Sequence, residues 1–426
     1  MSARSLSILT IIAFTLCCTS CKKDMFDDDA YQNLIKETAP IGDIDASHNW
    51  KLSTTRTIEV TANITATNDV RKVRLLAGNP YKERNVEILA EADISKGEKR
   101  TFSLVGPIVR QQLFAAIVDS EENHFLRQLA TDATTASFET DIIEPGEKLN
   151  KPVYQGYTYC FEEDYPQPSS DWDFNDVVLR IRKMPSQQSS ELRLSVTLAA
   201  VGAKKQIAAA VRIMGLAHSD VESVTTAEGR TFDGEYKEKR VLIEDGSLLL
   251  SGRGGEAVLN LFEDAHWAMS PRVRQDGMGV VRMYYNTHLQ VDGTTSAQIY
   301  PKTLTYIIKL REGKDASALT LENLDPFIVE DFNSGKWEVH TSDYKADGVL
   351  HDYGSNETAS SNRMVWALKI PTANFRYPIE GTSMGYYKDG ILTGAYMESG
   401  HSFGQWVQNK DTSLDWFYYP ASGLVY

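Results

Sequence analysis

Four stretches decide the fold: Thr57–Ile64 (TIEVTANI), Val70–Ala77 (VRKVRLLA), Lys99–Val105 (KRTFSLV) and Leu113–Asp119 (LFAAIVD). Each is rich in β-branched, aliphatic or aromatic residues, alternating or in a short continuous run, and turn-like segments separate them. That is strand composition. Their spacing predicts a small antiparallel β-sandwich over residues 51–147. Ile143–Pro152 (IEPGEKLNKP) carries two prolines, a glycine and several charges, and marks its end.

The same signature continues at larger scale. Tyr154–Glu163 (YQGYTYCFEE), Val177–Lys183 (VVLRIRK), Glu191–Val201 (ELRLSVTLAAV), Leu304–Leu310 (LTYIIKL) and Met364–Pro371 (MVWALKIP) are alternating or continuous β-type runs. They predict a larger, decorated β-sandwich over residues 148–426. Only two short runs look helical, Ile207–Met214 and Glu256–Phe262. The expected fold class is all-β.

A chain of 426 residues with 42% hydrophobic and 24% charged residues is globular and long enough for two cores. Acidic residues outnumber basic ones 58 to 44, a formal net charge of -14. Such a field repels phosphates, which argues against nucleic acid or an anionic lipid surface as the main partner.

At the N-terminus, Arg4 precedes a largely apolar run from Leu6 to Cys18, then Thr19, Ser20 and Cys21. The run is shorter than the ~20 residues of a spanning helix and suits a signal-peptide core. This resembles a bacterial lipoprotein signal, with residues 1–20 removed and Cys21 lipidated. Residues 21–50 then read as an acidic tether with a short helical stretch over 28–37. Its start, Lys22 and Lys23 followed by Asp27–Asp29, resembles the charged tract that sends Bacteroidota lipoproteins to the outer face of the outer membrane. Of the four cysteines, Cys17 and Cys18 leave with the signal and Cys21 carries lipid. Cys160 alone remains in the body, so no disulfide framework is expected and a small buried side chain is.

From Tyr159 the chain reads YCFEEDYPQPSSDWDFNDVVLRIRK. Asp171, Asp173, Asn175 and Asp176 crowd oxygen-bearing side chains together, with Glu162, Glu163 and Asp164 just upstream. Hard cations take six to eight oxygens, and a D-x-D-x-N loop can wrap Ca²⁺. It is not an EF-hand, because Asp176 replaces the turn glycine and Arg182 stands where the bidentate Glu belongs. The competing reading is a set of Asx turns capping the strand that follows.

Phe161–Ile181 (FEEDYPQPSSDWDFNDVVLRI) resembles the signature of the LruC-domain family of bacterial surface lipoproteins. Pro40–Trp50 (PIGDIDASHNW), Ala367–Gly381 (ALKIPTANFRYPIEG) and Gly404–Tyr426 (GQWVQNKDTSLDWFYYPASGLVY) extend the likeness. The region around 215–286 matches less well, and the family's Pro-Thr pair after His340–Tyr344 is missing. The resemblance implies architecture and location; the family has no established activity, so it implies no chemistry.

Other motifs carry less. Gly381–Gly385 (GTSMG) fits G-x-S-x-G, but a turn rather than a helix follows Ser383. Ser251–Ala257 (SGRGGEA) fits a dinucleotide fingerprint without its βαβ setting. Eight scattered histidines form no zinc spacing. Trp406, Trp416 and Tyr418 are the best glycan-stacking candidates, with Trp416 and Tyr418 on one face if that segment is a strand. No residue is assigned a catalytic role. The expected protein is an outward-facing outer-membrane lipoprotein with a non-catalytic adhesion or ligand-binding role toward a glycan or surface protein. A surface polysaccharide hydrolase and a fibre subunit are the rival readings.

Overall fold

The computed structural model describes residues 44–45, 47–65, 67, 69–163, 170–234, 249–251, 255–270, 282–332, 335–341 and 364–426. The expected signal peptide, Cys21, the 28–37 helical stretch and Asp164 lie outside the described residues. The fold is all-β.

The N-terminal strands are β1 (Ser53–Thr61), β2 (Lys72–Leu76), β3 (Glu87–Asp93), β4 (Lys99–Pro107), β5 (Leu113–Val118), β6 (His124–Leu129) and β7 (Thr135–Ser137), followed by β8 (Val153–Tyr154). They form two sheets, ordered β4-β1-β7 and β6-β5-β2-β3-β8. Alternation sets the core between them: Ile58 and Val60 of β1 meet Val73 and Leu75 of β2 and Ala115 and Ile117 of β5. The opposite face of β5 is also apolar, and Phe114 and Ala116 pack with Leu76, Ile88 and Leu126.

The larger part contains β9 (Gly156–Phe161), β10 (Val177–Met184), β11 (Glu191–Ala200), β12 (Ile207–Ala217), β13 (Val221–Thr226), β14 (Leu250–Ser251), β15 (Glu256–Phe262), β16 (Tyr284–Tyr285), β17 (Ser296–Ala297), β18 (Lys302–Leu310), β19 (Leu324–Phe332), β20 (Gly335–His340), β21 (Ala367–Ile370), β22 (Tyr386–Lys388) and β23 (Ile391–Thr393). The main sheets are β13-β18-β11-β10-β9-β21 and β14-β15-β12-β19-β20, both antiparallel throughout. Alternate residues of each, such as Leu194 and Val196 of β11 and Ala209 and Val211 of β12, share one large core.

Both expected helical runs are strands, β12 and β15. The reason is burial on both faces. In β12, Ile207, Ala209, Val211 and Ile213 face the main core, while Ala208 and Ala210 join Val258, Phe327 and Val329 behind the sheet. A strand covered on both sides reads as a continuous apolar run, which sequence periodicity does not separate from a helix. Among the described residues the α-helices are short, α1 (Ala265–Met269) and α2 (Phe403–Gln408), and none is long and apolar enough to cross a membrane.

One place where the two parts are stitched is the β3–β8 edge. β8 pairs in parallel with β3, Glu87 opposite Val153 and Ile88 opposite Tyr154, and two residues after Tyr154 the chain is in β9 of the other sheet. Glu87, 5% exposed, accepts from Ala373 N (3.0 Å) and Thr372 Oγ1 (3.2 Å), with Arg182 at 3.7 Å. Burial pushes its carboxyl up, opposed by the Ala373 N–H and the Arg182 charge.

A second buried charge closes the far sheet. His340 lies between Asp325 (Nδ1 to Oδ2, 3.0 Å) and Glu338 (Nε2 to Oε2, 3.1 Å) and stacks on Phe327. Burial opposes its charge, but Asp325 and then Glu338 prevail and raise its pKa from 6.5 to about 9. A folded pKa above the unfolded one gives stability that is complete below pH 6.5 and lost as pH rises through about 9. Chemical denaturation should therefore show a loss on the order of a few kcal/mol across that window. His340→Asn should be less stable at neutral pH and should lack that slope.

Candidate functional site

The D-x-D-x-N segment is the loop of the β9–β10 hairpin. Phe161 pairs with Val177, so the residues flanking that pair, Glu162 and Asp176, stand at its mouth. Glu163 N donates to Asp176 Oδ2 (2.6 Å) and closes it.

Within the loop, polar and aromatic residues alternate and part company. Trp172 and Phe174 are 4% and 0% exposed; Trp172 stacks against Trp366 (4.8 Å between centroids) and Phe174 meets Phe403 edge-on. Both take left-handed backbone, with φ of 56° and 53°. That conformation costs a non-glycine residue roughly 1–3 kcal/mol, which the aromatic packing offsets. The consequence is convergence of the intervening carboxylates. Oxygens of Glu162, Asp171 and Asp173 lie within 4.8 Å of one another, and among the described residues this is the one such group of three or more potential metal ligands.

Glu162 and Asp173 are buried, Asp171 is exposed at the rim and Asp176 is half-buried. Glu162 accepts from Ser170 Oγ (2.5 Å) and from Phe174 N. Asp173 Oδ1 accepts from Asn175 N (3.1 Å), an Asx-type turn, and Oδ2 from Gly381 N (2.8 Å). Glu163 accepts from the backbone N–H groups of Lys204 and Lys205, each at 3.0 Å. Burial, then the charges of Glu162, Asp171 and Glu380, hold the Asp173 carboxyl well above the carboxylate range. Burial, then Glu162, Glu163 and Asp173, does the same to Asp176. Glu380 is pushed up to about 7 by burial and by Asp171, against the Thr287 hydrogen bond and Lys204. These oxygens repel one another unless a proton or a cation sits among them.

Two oxygens in this neighbourhood have no donor among the described residues. Asn175 is fully buried; its Nδ2 donates to Pro378 O (3.3 Å), yet its Oδ1 accepts nothing, and neither does Glu380 Oε2. Both press on Gly202, where a Cβ would stand 2.0 Å from Asn175 Oδ1 and 3.0 Å from Glu380 Oε2.

The structure thus brings Glu162, Glu163, Asp171, Asp173, Asn175 and Asp176 together. It adds Glu380 and Gly202, which no local spacing announces because they arrive from other loops. GTSMG serves the same loop: Gly381 N bonds Asp173, and Met384 N donates to Trp172 O (2.7 Å). Strand β22 follows it rather than a helix. SGRGGEA joins antiparallel β14 and β15, and its residues 252–254 lie outside the described ones. Cys160 is fully buried in β9, and burial pushes its thiol up.

The aromatic candidates separate. Trp406 and Trp416 are 1% and 0% exposed and stack on each other at 5.8 Å, so neither offers a face to a sugar. The segment expected to be a strand is a single 3₁₀ turn, Trp416–Tyr418, which buries Trp416 and Phe417 and leaves Tyr418 half-buried. Tyr418 lines a cavity between the two parts of the molecule.

Residues 188–417 match the profile of a family described as a domain of unknown function, DUF4842, and the chain belongs to that family. The matched span begins after the carboxylate loop on which the LruC-type resemblance centres. No curated protein matches. A crystal structure of a candidate lipoprotein from Bacteroides ovatus is similar over 88% of this chain and 93% of that one, with 17% identity and a TM-score of 0.40.

Gly202→Ala should destabilise the protein by about 1–3 kcal/mol in urea unfolding, because overpacking must displace Asn175 Oδ1. Adding Asn175→Ala should recover much of that loss, since Oδ1 is the atom nearest the new methyl.

Proposed function

We propose that this is a lipid-anchored, outward-facing protein of the outer membrane that binds a ligand without catalysis, and that Ca²⁺ holds its carboxylate loop. The anchor rests on the Leu6–Cys18 run and Cys21, because several acyl chains make a stable attachment where one does not.

One observation carries the metal: beside three converging carboxylates lie two buried oxygens, Asn175 Oδ1 and Glu380 Oε2, that no donor among the described residues satisfies. Unsatisfied buried acceptors are costly, and a hard cation satisfies several at once. Glu162, Asp171 and Asp173 would be its first ligands. The role is structural rather than catalytic. Glu162 and Asp173 are 0% and 1% exposed and already fix backbone N–H groups, whereas a glycosidase needs two carboxyls facing a sugar across an open cleft.

Melting in millimolar Ca²⁺ and in excess chelator tests the metal. Ca²⁺ at about 100 times its dissociation constant should add about 2.7 kcal/mol of stability. Asp173→Asn should abolish that gain, since it removes one of the three converging carboxylates. Equal melting temperatures for the wild type in both buffers would sink the metal and leave the Asx-turn reading. For the anchor, Cys21→Ala should move the protein from the membrane fraction to the soluble one, and protease added to whole cells should digest the wild type.

A further inference from the structure

The junction between the two parts encloses a cavity of about 270 Å³, walled on one side by the β2–β3 and β4–β5 loops and on the other by residues 372–376 and 417–420. Ligand pockets start near 300 Å³, so this one suits a group about the size of a single sugar ring.

Arg110, from the β4–β5 loop, lines it at 7% exposure, and Nε, Nη1 and Nη2 all lack a hydrogen-bond partner among the described residues. The two carboxylates that line the same cavity are already engaged. Glu87 bonds Ala373 N and Thr372 Oγ1, and Glu83 Oε1 accepts from Asn79 N (3.2 Å). Burial disfavours the ionised form of Arg110, and the charge of a second cation, Arg56, opposes it further. A guanidinium is not deprotonated in a protein, so this is a desolvated positive charge with its donor fork unused. Exposed Arg84 and Arg376 add positive charge at the rim. Phe417 and Tyr418 supply an aromatic wall, and Asn374 an amide within reach of hydroxyls.

We infer that this cavity binds an acidic sugar, with Arg110, whose three guanidinium nitrogens are covered in the ligand-free chain, turning to grip its carboxylate or sulfate through paired N–H donors. A planar fork matches an oxyanion in two parallel bonds, and a charge-assisted pair in a dry site is stronger than a neutral one. Lining from both parts of the chain means that the ligand would bridge them. This inference rests on the ligand-binding reading above, to which it gives a place and a chemical class.

Calorimetric titration of the unlipidated mature chain, residues 22–426, with glucuronate, a sugar sulfate and glucose tests it. One of the two anions should bind at least about tenfold tighter than glucose, the margin of a single charge-assisted hydrogen bond, and the stronger of them identifies the oxyanion. Arg110→Met should lose that preference and, without ligand, should melt at or above the wild-type temperature, because it replaces an unpaired buried charge with a side chain of similar length. Arg84→Ala, at the exposed rim, should weaken the anion several-fold and leave the fold intact. Equal binding of glucose and both anions would overturn the acidic-sugar assignment while sparing the broader ligand-binding reading. A lower melting temperature for ligand-free Arg110→Met would show the guanidinium to be a structural tie and overturn it too. If none of the three sugars binds, the inference fails, and a glycan array with the same chain then decides whether ligand binding fails with it.

Discussion

Strand β9 is the constraint on which the arrangement depends. It is buried along its whole length and hydrogen-bonded on both sides, to β10 and to β21. At its first residue no side chain fits: a Cβ on Gly156 would stand 2.8 Å from Ile181 O and 2.9 Å from the Ala373 Cβ. Fixing β9 fixes what lies at each end. Beyond Phe161, the register with Val177 sets the mouth of the carboxylate loop. Before Gly156, the chain crosses into the N-terminal sheet through β8, and the junction cavity lies beside that crossing. A paired, buried strand holds such positions better than a loop does, because its neighbours on both sides must move with it.

The segment that follows β21 serves both ends of β9. Thr372 and Ala373 bond Glu87 at the junction, Asn374 reaches Asn85 O (3.0 Å), and Arg376 lines the cavity. A few residues on, Pro378 O takes the Asn175 amide, Glu380 adds its carboxyl to the acidic group, and Gly381 N bonds Asp173. Beyond the β-type run that ends at Pro371, residues 372–380 were singled out in the sequence only by their family likeness. Their physical role is that of a strap joining two sites at opposite ends of one strand.

How much of this was legible follows from what is local and what is not. Most of the long strands read directly, because β-rich runs bounded by turns are a property of neighbours in sequence. β12 and β15 did not, since strands covered on both faces lose their alternation and look like helix. D-x-D-x-N was legible as a group of oxygens, and the structure gathers its members by turning Trp172 and Phe174 into the core. Glu380 and Gly202 were not legible, because tertiary packing alone brings them beside Asn175. The terminal aromatics misled for a related reason. Composition records that tryptophans are present, and only packing decides whether their faces are free; Trp406 and Trp416 spend theirs on each other. Arg110 gave no signal at all, since nothing in Val109–Gln112 distinguishes a buried arginine from an exposed one.

The net charge of -14 conceals two local imbalances of opposite sign. At one end of β9, carboxylates and donorless oxygens crowd together; at the other, a guanidinium is buried without an acceptor. A fold selected for stability alone would replace either with apolar residues of similar volume, because burying an uncompensated charge costs more than packing gains. Both are tolerated because they sit where loops from separate sheets meet, and neither interrupts the ladders that carry the core. An excess of acceptors favours a cation and an excess of donors an anion. The physics of unpaired buried charge is what makes these two places, rather than the many exposed acidic residues, the informative ones.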